Sequence, residues 1–508
     1  MSEIKVESIA IIGGGTAGWM TAAALSQHFK GKVQITLVES SKIGTVGVGE
    51  ATIPSIRRFY ARLGLSDQEV IKATGATCKL GIEFRGWAGE DSSFIHPFGL
   101  FGEPLHDVPF HHVWQRASEL GEVGALEEYS LGINLAKHNK FCLPEPVPSS
   151  MLTIFDWALH FDASRFACLM QDCARRQGVR LVDDVVCQVE TSDQGIGAVV
   201  LESGERLVAD LYIDCSGFKG LLIEQALQTG YESWEQWLYC DRAVAVQSEA
   251  VSNPLVRTIA TARKAGWQWS IPLQHRCGNG HVFSRRYISE DEATQTLLEN
   301  TIGTVLHEPR SFRFTPGRRK LAWNKNCIAI GLASGFLEPL ESTSIAMIET
   351  AIERLLLTFR QPGYSKTDMT RFNDVSQMEF ERIRDFIILH YKANQREDSA
   401  FWQDCRTMDL PDELAYKIKS FRRQGQLERL PWEIFGPDSW LAIFQGLGVQ
   451  AESYPDKAMA IGTEQLVPRL LAMRQRIEKM TAAVPLHQEF LRRFGGYQPL
   501  TSEASEPG

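Results

Sequence analysis

A chain of 508 residues, 44% hydrophobic and 23% charged, is long enough for two or three domains and has an ordinary globular make-up. A net charge of −9 without any basic block excludes nucleic acid as a main partner. No apolar run approaches the ~20 residues that span a bilayer, and no charged-then-apolar leader opens the chain. The ten cysteines form no C-x-x-C pair, so they read as reduced thiols of a cytoplasmic protein with no membrane association.

The first informative stretch is an apolar run over residues 6–12 that leads into Gly13-Gly14-Gly15-Thr16-Ala17-Gly18, followed by helix-forming Ala22, Ala23, Ala24 and Leu25. Gly13, Gly15 and Gly18 satisfy G-x-G-x-x-G: a tight turn, a backbone able to approach a pyrophosphate, and close helix–strand packing. The helix N-terminus offers free N–H groups to phosphates. A second strand over 33–38 ends at Glu39, placed to accept from a ribose hydroxyl. Strand, glycines, helix, strand and acid in that order predict a dinucleotide site.

Gly44, Gly47 and Gly49 argue against a packed strand over 41–54 and suit a loop lying on a ligand. Thr52 is expected to cap the next helix, with Pro54 in its first turn. Residues 94–109, aromatic and rich in Pro and Gly, read as a pocket wall. His96, His106, His111 and His112 fall near one another, but no acidic or cysteine partners surround them, so no metal site is expected. A capped amphipathic helix over 162–178 precedes strands at 179–182, 185–189, 197–201 and 207–213, a meander inserted into a parallel sheet. More strands lie between 243 and 284, and a helix over 342–357 carries Ile345, Ile348, Ile352 and Leu355 at helical spacing. Beyond about 365 only helices are expected, at 378–390, 412–421, 463–479 and 488–494. The organisation is therefore a lobe over 1–365, a helical region over 366–500 packed on it, and a disordered tail over 501–508.

Two further stretches carry chemistry. In Gly266-Trp267-Gln268-Trp269-Ser270-Ile271-Pro272 the two tryptophans point the same way along a strand, which on its own reads as core. In Leu337-Glu338-Pro339-Leu340-Glu341-Ser342-Thr343-Ser344 a turn opens an apolar helix, so its amides can hold an anion, and Glu341 is either a placed carboxylate or a first-turn acid.

An N-terminal dinucleotide fold, W-x-W-x-I-P and L-E-P-L-E-S-T in this order resemble the flavin-dependent tryptophan halogenase family. Further matches are Gly47-Val48-Gly49-Glu50-Ala51-Thr52, Lys79 within Cys78-Lys79-Leu80-Gly81, and the segment from Asp385-Phe386-Ile387 through Leu389-His390-Tyr391 to Phe401-Trp402. The resemblance implies an α/β protein: a Rossmann-type FAD-binding fold of the aromatic-hydroxylase kind with an inserted β-sheet, plus a mainly helical C-terminal region. FAD would lie along Gly13, Gly15, Thr16, Ala17, Gly18 and Glu39. The loop holding Lys42, Val48, Glu50 and Ala51 would strap the isoalloxazine, with Val186 toward the adenine and Leu332 and Ile345 toward the flavin ring. Chloride or bromide would sit on the amides of Thr343 and Ser344.

In that family reduced flavin, oxygen and halide yield hypohalous acid, which travels through an internal tunnel to the lysine matching Lys79. Glu341 would orient the oxidant or take the ring proton. Trp267 and Trp269 would shield the flavin from substrate. His96 and Phe98, in an H-x-F pair, and Trp440 would stack on an indole. Ser344 departs from the glycine usual at the second halide amide. Residues gripping the amino and carboxylate groups of tryptophan find no match between 432 and 455, so free indole is as consistent a substrate as a tryptophan derivative.

The lack of a second G-x-G-x-x-G implies that a separate flavin reductase supplies reduced FAD, and a homodimer is compatible with the chain. Two other readings remain on residues alone. An aromatic monooxygenase of the same superfamily needs neither Lys79, the tryptophan wall nor the anion turn. A non-catalytic flavoprotein-fold binding module would do no flavin redox chemistry.

Overall fold

The computed structural model describes residues 4–44, 50–359 and 361–496. Val48 of the expected strap and the expected tail over 501–508 lie outside the described residues.

A six-stranded sheet forms the base, in the order Trp323–Asn324, Cys327–Ala329, Leu211–Asp214, Ser8–Ile12, Gln34–Glu39 and Arg180–Asp183. All neighbours are parallel except the first pair. Ser8–Ile12 is central and nearly all buried, as an uninterrupted apolar strand must be when both faces of the sheet are covered. The turn after it opens at the carboxyl ends of the parallel strands, where a ligand crevice forms in such sheets. Of the strands expected to form an inserted meander, Val186–Ser192 and Gly195–Leu201 do so with Arg206–Leu207, whereas Arg180–Asp183 and Leu211–Asp214 belong to the base sheet itself, paired in parallel with its neighbours. The helix Ala163–Arg176 is capped by Asp162, whose carboxylate accepts from Ser164 and Arg165 amides.

A second, seven-stranded sheet runs Arg310–Arg313, Arg242–Glu249, Arg276–Phe283, Gly266–Pro272, Thr258–Arg263, Gly81–Arg85 and Ser93–Pro97. It brings the tryptophan strand and the strand ending in His96-Pro97 into one surface. Residues 93–97, read from sequence as irregular pocket wall, are thus an edge strand. A three-stranded sheet joins Glu50–Ala51, Ala158–Phe161 and Thr77–Lys79. Thr52 does not cap the following helix, whose N-cap is Pro54. Instead its hydroxyl donates to the Leu159 carbonyl, continuing this small sheet, where a ladder partner outcompetes the cap.

After Gly363–Tyr364 the described elements are all helices, the longest being Lys366–Lys392. Among the described residues no helix is long and apolar enough to cross a membrane, none of the ten cysteines forms a disulfide, and no metal-ligand cluster occurs.

One core group has a measurable cost. Glu349, on the helix Thr343–Thr358, is buried, and burial pushes its carboxyl from 4.5 up to about 8. Between those values the folded chain holds a proton that the unfolded chain has released, so stability from this group falls as pH rises through the window. Glu349→Gln should therefore raise the thermal midpoint at pH 8 and leave it unchanged near pH 4. An equal gain at both pH values would show that the effect is not protonic.

Candidate active site

The glycine turn separates its three roles cleanly. A Cβ at Gly13, where φ is +115°, would strike the Cys215 carbonyl oxygen at 2.3 Å, and one at Gly18 would strike the Gly13 carbonyl oxygen at 1.8 Å. At Gly15 a Cβ would meet nothing within 4 Å, among the described residues. Gly13 and Gly18 are therefore bound by the protein's own packing, while Gly15 faces open space. The helix Thr16–Phe29 that starts there has no side-chain cap and no acid in its first turn, so its amides and positive dipole end are left to an anion. Glu39 lies over Gly14 and accepts from Trp19 Nε1 at 3.1 Å. Partial burial raises its carboxyl, and the Trp19 bond lowers it.

These residues fit a dinucleotide such as FAD. Gly15→Val should leave the fold and its melting transition intact while preventing FAD retention on gel filtration. Retained FAD would remove the phosphates from this turn.

The other expected flavin contacts differ in kind. Gly331 packs on Ala17, the distance from an added Cβ being 2.8 Å, which sets Leu332 beside the glycine helix. Ile345 is buried in the first turn of Thr343–Thr358. Ala51 pairs with His160. Lys42 is exposed and paired with Glu202 at 2.7 Å. Val186 pairs with Leu201 and packs on the meander's core.

Lys79 is fully buried, which removes the solvated-surface alternative for it. Register explains where its amine goes: Lys79 pairs with Ala158 and Ala51 with His160 across the shared strand, so Nζ reaches the carbonyl oxygen of Thr52 at 2.9 Å. It also donates to Ser342 Oγ at 2.7 Å and lies 5.1 Å from the Phe98 ring centroid. Burial lowers the amine from 10.5 to about 7, against an opposing pull from Glu341. A substantial neutral fraction thus exists near pH 7, giving a nucleophilic nitrogen.

The strand is braced from behind. The Cys78 amide donates to His487 Nε2 at 3.1 Å, and Thr77 Oγ1 bonds both His160 Nδ1 and the Pro272 carbonyl.

Ser342 adopts φ 60° and starts the helix Thr343–Thr358 without a side-chain cap or first-turn acid. The amides of Thr343 and Ser344 have no bond among the described residues, and the buried Thr343 hydroxyl has none either. These free donors lie one residue from the lysine's own partner and could accept an anion.

Glu341, on the same turn, is fully buried between two imidazoles. His96 Nδ1 and His390 Nε2 each lie 2.8 Å from one of its oxygens. Burial works to raise its carboxyl, but the imidazoles prevail and hold it at about 2. Phe386 sits one helical turn before His390 and contacts His96, as does Phe435. Trp440 reaches this cluster through Phe386, at a 5.0 Å centroid distance, and Lys417 covers its ring at 3.8 Å. The ring that directly flanks His96 from the 432–455 segment is Phe435.

The tryptophans have a hidden anchor. Trp267 and Trp269 stand 6.0 Å apart, and Trp267 Nε1 donates to Glu338 Oε2 at 2.6 Å. Tyr391 donates to the same oxygen at 2.5 Å. Burial lifts the Glu338 carboxyl, the two bonds restrain it, and it settles at about 7. One turn, 338–344, therefore meets Trp267 with Glu338, the imidazoles with Glu341 and the lysine with Ser342, and leaves its last two amides free among the described residues. Sequence reasoning passed over Glu338, Ser342 and His390 as individual actors. Phe386 and His390, four apart in a helical run, were the available signal.

The whole-chain comparison decides the class. The model of the tryptophan halogenase family matches residues 8–463. This chain belongs to the tryptophan halogenase family. Among its relatives, the tryptophan 6-halogenase SttH of Streptomyces toxytricini is 35% identical over 97% of this chain and 99% of that one. The tryptophan 7-halogenase RebH of Lentzea aerocolonigenes is 32% identical with the same coverage of both chains. Of solved structures, the flavin-dependent halogenase BrvH from Brevundimonas sp. BAL3 superposes with a TM-score of 0.93 at 49% identity, covering 97% of this chain and 99% of that one. Xcc4156, a flavin-dependent halogenase from Xanthomonas campestris, gives 0.92 at 42% identity with equal coverage. The protein is a flavin-dependent halogenase, which sets aside the hydroxylase and binding-module alternatives.

Proposed function

We propose that this halogenase transfers chlorine or bromine to an electron-rich, indole-like ring by way of Lys79. The observation carrying this is the buried, partly neutral Lys79 amine one residue from an uncapped anion turn. Gly13, Gly15, Thr16, Ala17, Gly18 and Glu39 would hold FAD, with Lys42, Val48, Glu50, Ala51, Val186, Leu332 and Ile345 around it. Reduced FAD, delivered by a separate reductase, supplies with oxygen the oxidising equivalents that convert halide to hypohalous acid. Thr343 and Ser344 hold the halide through their amides.

Trp267, fixed by Glu338, and Trp269 beside it keep the arene away from the cofactor, and the oxidant passes through the interior to Lys79. There the Nζ lone pair forms an N–X bond, the O–X bond breaks, and water leaves. Thr52 and Ser342 aim the amine, and Glu341 supplies the negative field that orients the carrier. His96, Phe98 and, further out, Trp440 enclose the ring, so one ring position faces the halogen by proximity. A panel of indole, tryptophan, phenols and pyrroles offered with each halide tests this. Indole or a tryptophan derivative should acquire a halogen isotope pattern. Ring oxygenation instead, or halogenation of none of these arenes, would overturn it.

A further inference from the structure

The hydrogen-bond directions around Glu341 assign the protons of the site. His390 Nδ1 lies 2.7 Å from the Phe386 carbonyl, which can only accept, and its Nε2 faces an ionised carboxylate. Both His390 nitrogens are thus taken up by neighbouring oxygens. His96 has one such acceptor only, at Nδ1. Its Nε2 is buried and has no partner among the described residues, within an enclosure of Phe98, Phe386 and Phe435 whose centroids are 6.4, 5.8 and 5.9 Å from its ring. In the neutral form of His96 an N–H directed at Glu341 leaves the lone pair on Nε2, aimed where an aromatic substrate stacks, as a carboxylate orients the imidazole in a hydrolytic triad.

We infer that His96, through Nε2, accepts the proton lost by the aromatic ring when halogen enters it. This rests on the halogenase reading above and changes Glu341 from base to positioning residue. Glu341 is poorly suited to the task itself, since each of its oxygens already holds an imidazole N–H. In the step, the ring's electron pair takes the halogen, the N–X bond pair returns to Nζ, and Nζ takes up a proton from water, which restores the Lys79 amine. The C–H pair then restores aromaticity as the proton moves to Nε2, making an imidazolium that later returns it to water.

The test is single-turnover halogenation of indole and ring-deuterated indole. Wild-type protein should treat both at equal rates, because a base in place makes proton loss fast. His96→Asn keeps an amide N–H toward Glu341 but leaves nothing at Nε2. It should react ~10²-fold or more slowly, the usual contribution of a positioned base, and more slowly again with the deuterated ring. A wild-type rate without an isotope effect in His96→Asn overturns the inference alone, as does a deuterium effect in the wild type, a measurement that stands even if the variant fails to fold. No haloarene from wild-type protein on any substrate would overturn the halogenase reading beneath it.

Discussion

Lys79→Ala should abolish arene halogenation while reduced FAD is still reoxidised by oxygen at the wild-type rate. The expectation follows from where the amine sits. It is fully buried and bonded to Thr52 O and Ser342 Oγ, and no bond joins it to the residues of the glycine turn. Removing it leaves the dinucleotide crevice intact and takes from the 338–344 turn only the bond to Ser342 Oγ, so oxidant should still form with no carrier beside the ring. Loss of a positioned nucleophile and its proximity typically removes several kcal/mol of barrier lowering, enough to take product below detection. Stopped-flow flavin absorbance alongside product mass spectrometry reads both halves. Haloarene at near wild-type rate would end the carrier role, and a loss of flavin reoxidation would mean the two steps share one site.

Glu341→Gln should slow halogenation by ~10²–10³-fold with FAD binding retained. The glutamine has the same shape, but its amide N–H must face one of the two imidazoles, and the buried negative charge between them is lost. Breaking a buried pair in this way costs about 3–5 kcal/mol, so the variant should also melt earlier. His96 loses the tautomer that exposes Nε2, which ties the rate loss to proton removal as well as to the field at Lys79. Turnover unchanged within a factor of two would reduce Glu341 to a structural residue.

What the sequence made legible was local. The glycine turn, its flanking strands and Glu39 could be read because each glycine has a distinct steric reason, and Gly13, Gly15 and Gly18 meet three different surroundings in the structure. The capped helix at Asp162 and the meander were legible for the same reason, since caps and alternation act over a few residues. Lys79 was not legible on its own chemistry: a single lysine in a short strand looks solvated until the register with Ala158 puts it inside. Thr52 was misread because its competing partner, Leu159, lies 107 residues away. Glu338, His390 and Phe435 gain their roles only through packing between the long helix, the tryptophan strand and the 338–344 turn, none of which is visible in spacing.

The most direct measurement separates the two sites in time. Protein would be given reduced FAD, oxygen and bromide without an arene, stripped rapidly of small molecules, and then offered indole. Brominated indole should form from the stripped wild-type protein, up to one equivalent per chain, and not from Lys79→Ala. If wild-type protein brominates indole in continuous turnover yet yields none after stripping, or if the two proteins yield the same, oxidant is not carried on Lys79.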